Sequence, residues 1–118
     1  MAAIFVVSHQ SSVSIPFDAP DYYAHGISYT VLGCLLIRAL AGGDLKAMTW
    51  NLVLLATVIG GLYGISDEFH QSFIPGRHPS VSDVIADTVG SLAGAVAGAA
   101  LGGWLRRPTR PSAHPPTL

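Results

Sequence analysis

The sequence predicts an all-α, multi-pass membrane helical bundle, and three observations carry that expectation. Half of its 118 residues are hydrophobic and only 11% are charged, against about 25% charged in soluble domains. Three apolar runs approach or reach the roughly 20 residues that a spanning helix needs. No period-2 alternation survives over any stretch longer than a few residues, so no strand is expected.

The chain opens on MAAIFVV, which is apolar but too short to span and lacks the basic residues of a signal peptide. Residues 1–8 read as the remnant of a first membrane helix, with a short interfacial segment as the alternative. The first full span is expected at about 22–41, with His25 and Arg38 near its two ends. The second runs from 48 to about 66 by hydropathy and to about 73 with its polar end, and the third covers about 81–104. Pro75-Gly76 marks a turn, and Ser80 or Ser82 offers an N-cap for the helix after Pro79. Residues 1–105 form one membrane domain, and the Pro-rich tail 106–118 is expected to be disordered.

Composition also excludes function classes. A net charge of −1 supplies no basic field for nucleic acid. Cys34 is the single cysteine, so neither an internal disulfide nor a cysteine-based metal cluster is available. The cations orient the chain: Arg38, Lys46, Arg106, Arg107 and Arg110 lie on one side of the spans and only Arg77 on the other. Positively charged loops stay in the cytoplasm, which predicts a cytoplasmic C-terminus and an external position for Asp18, Asp21, His25, Asp67, Glu68, His70, Arg77, His78 and Asp83.

Spacing then singles out faces. Gly90, Gly94, Gly98 and Gly102 recur every four residues on one helix face, where small side chains let backbones approach. The row suits packing inside the chain or an oligomer contact. Gly60 and Gly64 notch the second span. Asp21, His25 and Tyr29 form a stripe at i, i+4, i+8. Glu68 follows Gly64 by four and precedes Gln71 by three, while Asp83 and Asp87 share the glycine face of the third span. Asp67 points about 100° away from Glu68, which makes Glu68 the expected inward member. His70 and His78 lack such alignment. Carboxylates near hydrocarbon cost several kcal/mol unless paired or hydrated, so their alignment with packed faces points to a site rather than to wet helix ends. Purely structural interfacial polarity is the competing account.

The segments DYYAHGISY (21–29), DEFHQSFIPGR (67–77) and SVSDVIADTVGSLAG (80–94) resemble the VanZ-like family of small bacterial membrane proteins. The likeness spans about residues 8–105, with Ser8-His9-Gln10 similar to the Ser-Ser-Gln that ends the family's first helix. Two departures stand out: Asp87 replaces the usual Asn and adds a charge, and most of the first membrane helix is expected to be absent. The resemblance implies a cell-envelope location and, through the protein that names the family, a link to teicoplanin resistance.

Two readings of function follow. In the first, an outward-facing pocket of Asp21, His25, Tyr29, Glu68, Gln71, Arg77, Asp83 and Asp87 binds a membrane-lipid head group or a lipid-linked cell-wall precursor. Arg77 supplies a fork for phosphate or carboxylate, unless it only pins the turn by pairing with Glu68 or Asp83. In the second, an intramembrane enzyme uses Glu68, Asp83 and His25 as general acid and base or as divalent-metal ligands with Asp21 as a fourth. No cofactor is required by the first reading. The sequence has no HExxH and no nucleophile elbow, and acids clustered at one end argue against a transporter, whose sites lie at mid-membrane.

Overall fold

The computed structural model describes residues 21–107. The expected N-terminal remnant, Ser8-His9-Gln10, Asp18, Arg110 and the rest of the tail lie outside these residues, as does the side chain of Asp21. Three helices follow one another: α1 (Asp21–Leu40), α2 (Trp50–Gln71) and α3 (Val81–Leu105). All three are long and apolar enough to cross a membrane, and no strand occurs among the described residues. At 1.5 Å per residue, the 22 residues of α2 reach about 33 Å, close to the thickness of a bilayer's hydrocarbon.

The connections are short because their glycines turn sharply. Gly42 and Gly43 end α1 at φ of 66° and 82°, left-handed angles that glycine adopts without strain. A 3-10 turn, Leu45–Ala47, follows; its N-cap Asp44 accepts a 2.8 Å bond from the Lys46 N–H. Between α2 and α3, Pro75 and Gly76 hold the centre of a turn closed by Arg77 N–H donating to Ile74 O at 3.1 Å. Pro followed by a glycine at φ 82° is the pairing a type II turn requires.

The bundle distributes polarity in the opposite sense to a soluble domain. Ile27, Val31, Leu35, Leu54, Val58, Leu62, Ile65, Ile85 and Val89 are exposed, whereas Asp67, Asp87 and Ser91 are 0% exposed. Such an outer surface is stable in lipid and would associate in water. Trp50 and Trp104 are exposed at the end that carries Arg38, Lys46 and Arg106, while Tyr22, Tyr23 and Phe73 are exposed at the other. Aromatic residues at both ends match the two interfaces of a bilayer. The interior is divided too. Ile37, Met48, Val53, Ala56 and Ala95 form an apolar core toward the basic end, and the buried polar side chains collect at the opposite end.

Helix α3 packs against both others and most extensively against α1. The glycine row is the reason. A Cβ at Gly90 would meet Gly26 O at 2.5 Å, one at Gly94 would overlap Thr30 O, and one at Gly102 would overlap Leu45 O. Gly98 faces Ile37. The row is thus buried against α1 and the 3-10 turn of the same chain. Gly60 and Gly64 of α2 form the second notch, receiving Ser91 and Asp87 of α3.

Gly94→Leu is therefore expected to lower stability in detergent by more than ~2 kcal/mol, since the inserted side chain meets backbone that cannot yield. Gly103→Ala, where an added Cβ meets nothing within 4 Å, should be neutral or slightly stabilising. Thermal unfolding followed by circular dichroism separates the two. Size-exclusion chromatography of Gly94→Leu checks the alternative: loss of a dimer with unchanged stability would make the row an oligomer contact.

Candidate functional site

Each helix contributes to the polar end for a reason visible in its register. On α2 the buried positions are Val53, Ala56, Gly60, Gly64, Asp67, Glu68 and Gln71, a run of three- and four-residue steps that keeps one stripe inward. Asp67 lies on this stripe three residues after Gly64, and Glu68 lies four after it. Both are inside, at 0% and 5% exposure. The expectation that Asp67 points away from the site is thereby corrected. A stripe wider than 100° admits two neighbouring residues where two other helices converge, and Asp67 has a partner there: Gln71 Nε2 donates to its Oδ2 at 3.3 Å.

Arg77 does return toward this face after the Pro75-Gly76 turn. Its Nη1 donates to Gln71 Oε1 at 3.3 Å, so Gln71 links the guanidinium to Asp67. Glu68 does different work. Its Oε2 accepts a 2.8 Å bond from the backbone N–H of Ser80, the N-cap residue of α3. The sequence Ser80-x-x-Asp83 is that of a capping box, in which Asp83 would reach back to this same N–H. Here Glu68 of α2 takes the donor, and the Ser80 side chain makes no cap bond. Asp83 is left to turn its carboxylate toward Glu68 and His25.

On α3, Asp83, Asp87 and Ser91 recur every four residues and are 9%, 0% and 0% exposed. Asp87 sits in the Gly64 notch and Ser91 in the Gly60 notch. From α1, His25 enters at 9% exposure, and its Nδ1 lies 2.9 Å from Asp87 Oδ1. An ionised carboxylate only accepts, so Nδ1–H donates, and in the neutral ring Nε2 carries the lone pair. Tyr29 is 1% exposed, its ring parallel to that of His25 at 6.5 Å and 6.2 Å from that of Tyr63. One donor atom from each of His25, Glu68 and Asp83 lies within 4.8 Å of the others.

The structure thus brings His25, Tyr29, Glu68, Gln71, Arg77, Asp83 and Asp87 to one end of the bundle. Asp21 begins α1 one turn before His25. Sequence reasoning missed Asp67, Ser91 and Tyr63. The four-residue step from Asp83 through Asp87 to Ser91 could have found Ser91. Several buried atoms in this cluster have no hydrogen-bond partner: Glu68 Oε1, Asp87 Oδ2, Tyr29 OH and Ser91 Oγ. Buried polar atoms are nearly always satisfied, and in lipid the cost of an orphan is several kcal/mol. Their concentration at one end sets this part of the bundle apart from the apolar core.

The profile of a family described as VanZ/LLP1 matches residues 3–102, a span containing every residue of the cluster. No curated protein and no solved structure matches the chain.

The separate duties of the two neighbouring acids lead to opposite expectations. Asp67→Ala should destabilise the protein by ~1–3 kcal/mol, because the buried Gln71 amide loses its acceptor. Glu68→Gln retains a carbonyl oxygen for the Ser80 N–H and should fold normally, whereas Glu68→Ala should not. Unfolding midpoints of the three variants in one detergent test this.

Proposed function

The chain belongs to the VanZ/LLP1 family, and from that membership and its buried polar cluster we propose that it is a cell-envelope protein of the bacterial cytoplasmic membrane that binds a polar head group. The occupant belongs to a membrane lipid or a lipid-linked cell-wall precursor. The observation that carries this reading is the set of unpartnered buried atoms, Glu68 Oε1, Asp87 Oδ2, Tyr29 OH and Ser91 Oγ, at the polar end of a bundle with a lipid-compatible exterior. Hydroxyl or ammonium donors of a head group satisfy carboxylate oxygens, and Arg77 offers a fork to its phosphate or carboxylate. His25, held by Asp87, orients the bound group. The acyl chain lies along the exposed apolar faces of the helices. Binding of an external precursor in this pocket is the route by which the protein contributes to glycopeptide (teicoplanin) resistance.

The outward orientation of the pocket rests on the split of cations, five on one side of the spans against Arg77 on the other. In a Cys34→Ala background, His78→Cys should react with an impermeant maleimide in intact cells and Thr109→Cys should not. The reverse pattern would move the pocket to the cytoplasmic side.

A second reading has one observation behind it. The His25–Asp87 pair, with Glu68 and Asp83 opposite, has the composition of an acid–base centre acting on the same lipid. Mass spectrometry of co-purifying lipid serves both readings. Native protein should carry a specific lipid, and Glu68→Gln should carry at least tenfold less while remaining folded and abundant. Expression of Glu68→Gln should also abolish any resistance that the native protein confers. A stable Glu68→Gln variant with unchanged lipid and unchanged phenotype would sink the pocket, while chemically altered lipid found only with the native protein would favour the enzyme.

A further inference from the structure

We propose that His25, Glu68 and Asp83 hold a divalent first-row transition-metal ion within the polar end of the bundle, with Asp87 as the residue that orients His25 toward it. The inference rests on the pocket reading above and names the inorganic component of that same pocket.

Geometry supplies the donors. Three groups of which one ligand atom each lies within 4.8 Å of the others share a centre no more than about 2.8 Å from any of them, and small side-chain rotations close that to the 2.0–2.6 Å range of metal–ligand bonds. Each donor is also free to serve. Glu68 spends Oε2 on the Ser80 N–H, and its Oε1 is buried without a partner. Because Glu68 caps α3 from α2, Asp83 is released from the capping role that its sequence position would give it. Nδ1–H of His25 is donated to Asp87 at 2.9 Å, which leaves Nε2 as the metallating nitrogen. A carboxylate behind an imidazole in this manner fixes the ring and raises its basicity, as in carboxylate–histidine–metal triads. The three donors come from three different helices, so an ion there ties the bundle together.

Charge points the same way. Asp67, Glu68, Asp83 and Asp87 gather around one imidazole and one guanidinium. Ionised, they leave an excess of at least two negative charges where the dielectric is low, a costly arrangement without a counterion. The excess also bears on the occupant: a phosphate or carboxylate head group would be repelled by these acids unless a cation stands between them. One imidazole with two carboxylates is a mixed nitrogen–oxygen set, suited to Mn²⁺, Fe²⁺ or Zn²⁺ rather than to Ca²⁺ or Mg²⁺, which take oxygen alone.

The full chain, purified in detergent and stripped with EDTA, should bind one Mn²⁺ per molecule in a saturable titration followed by electron paramagnetic resonance. Zn²⁺ should displace it, and Ca²⁺ in tenfold excess should not. Mn²⁺ should raise the thermal midpoint, and EDTA should reverse the rise. Glu68→Gln, Asp83→Asn and His25→Ala should each weaken Mn²⁺ binding at least tenfold, and Asp87→Asn should weaken it ten- to a hundredfold. Asp44→Asn, in the connection at the opposite end, should leave it unchanged. The wild-type titration stands even if a variant misfolds: absence of saturable Mn²⁺ and Zn²⁺ binding overturns the proposal. So does undiminished binding by a folded Glu68→Gln, Asp83→Asn double variant, since protonation would then account for the buried acids. Lipid carried in a Glu68-dependent manner by protein that shows no saturable Mn²⁺ or Zn²⁺ binding refutes the ion and leaves the pocket standing. Metal bound as expected, with lipid identical in native protein and Glu68→Gln, refutes the pocket and leaves the ion.

Discussion

Backbone meets backbone where α3 crosses α1, and the position of every polar group at the far end of the bundle depends on that contact. Gly90 and Gly94 lie so close to Gly26 O and Thr30 O that even a methyl group would collide. Without side chains between them, the helices approach far enough for His25 to reach Asp87 across the crossing at 2.9 Å. Gly60 and Gly64 do the same for α2, admitting Ser91 and Asp87 into its surface. The attraction in such contacts is close van der Waals packing, since lipid tails offer helices no hydrophobic drive to associate.

A bilayer as solvent explains the rest of the layout. Exterior Leu, Ile and Val cost nothing in hydrocarbon, so the interior is released from the duty of hiding them. It is filled instead by small residues and, at one end, by groups that water would ordinarily claim. The apolar core of Ile37, Met48, Val53, Ala56 and Ala95 fills the interior toward the basic end. Arg106 belongs to the basic end, where its guanidinium donates to Met48 O at 3.3 Å and ties the end of α3 to the entry of α2.

Two adjacent acids, Asp67 and Glu68, divide the labour at the polar end. Asp67 satisfies Gln71, and through it engages Arg77 and the α2–α3 turn. Glu68 satisfies the N-cap residue of α3 with one oxygen and keeps the other. This exchange, a cap supplied from a neighbouring helix, is what frees Asp83. Asp87 sits in the Gly64 notch, and its carboxylate meets Nδ1 of His25 at 2.9 Å.

The fold class and the three helices were legible because a bilayer demands long apolar runs, and composition records them. The glycine row was legible as well, because a four-residue repeat marks one helix face whatever it packs against. The polar cluster was legible where helical spacing aligned its residues with a glycine notch or with one another, as at His25, Tyr29, Glu68, Gln71, Asp83 and Asp87, and where the Pro75-Gly76 turn returned Arg77 to them. Asp67 was not, since helical spacing ranks two neighbours as opposed when a helix end enclosed by two others can bury both. Nor does a single sequence reveal that Ser80 takes its cap from α2, for local signals assign that bond to Asp83. The sequence by itself determined which faces pack. Only the tertiary structure decided which partners meet across them, because hydrogen bonds between helices depend on crossing points and depths that periodicity within one helix does not encode.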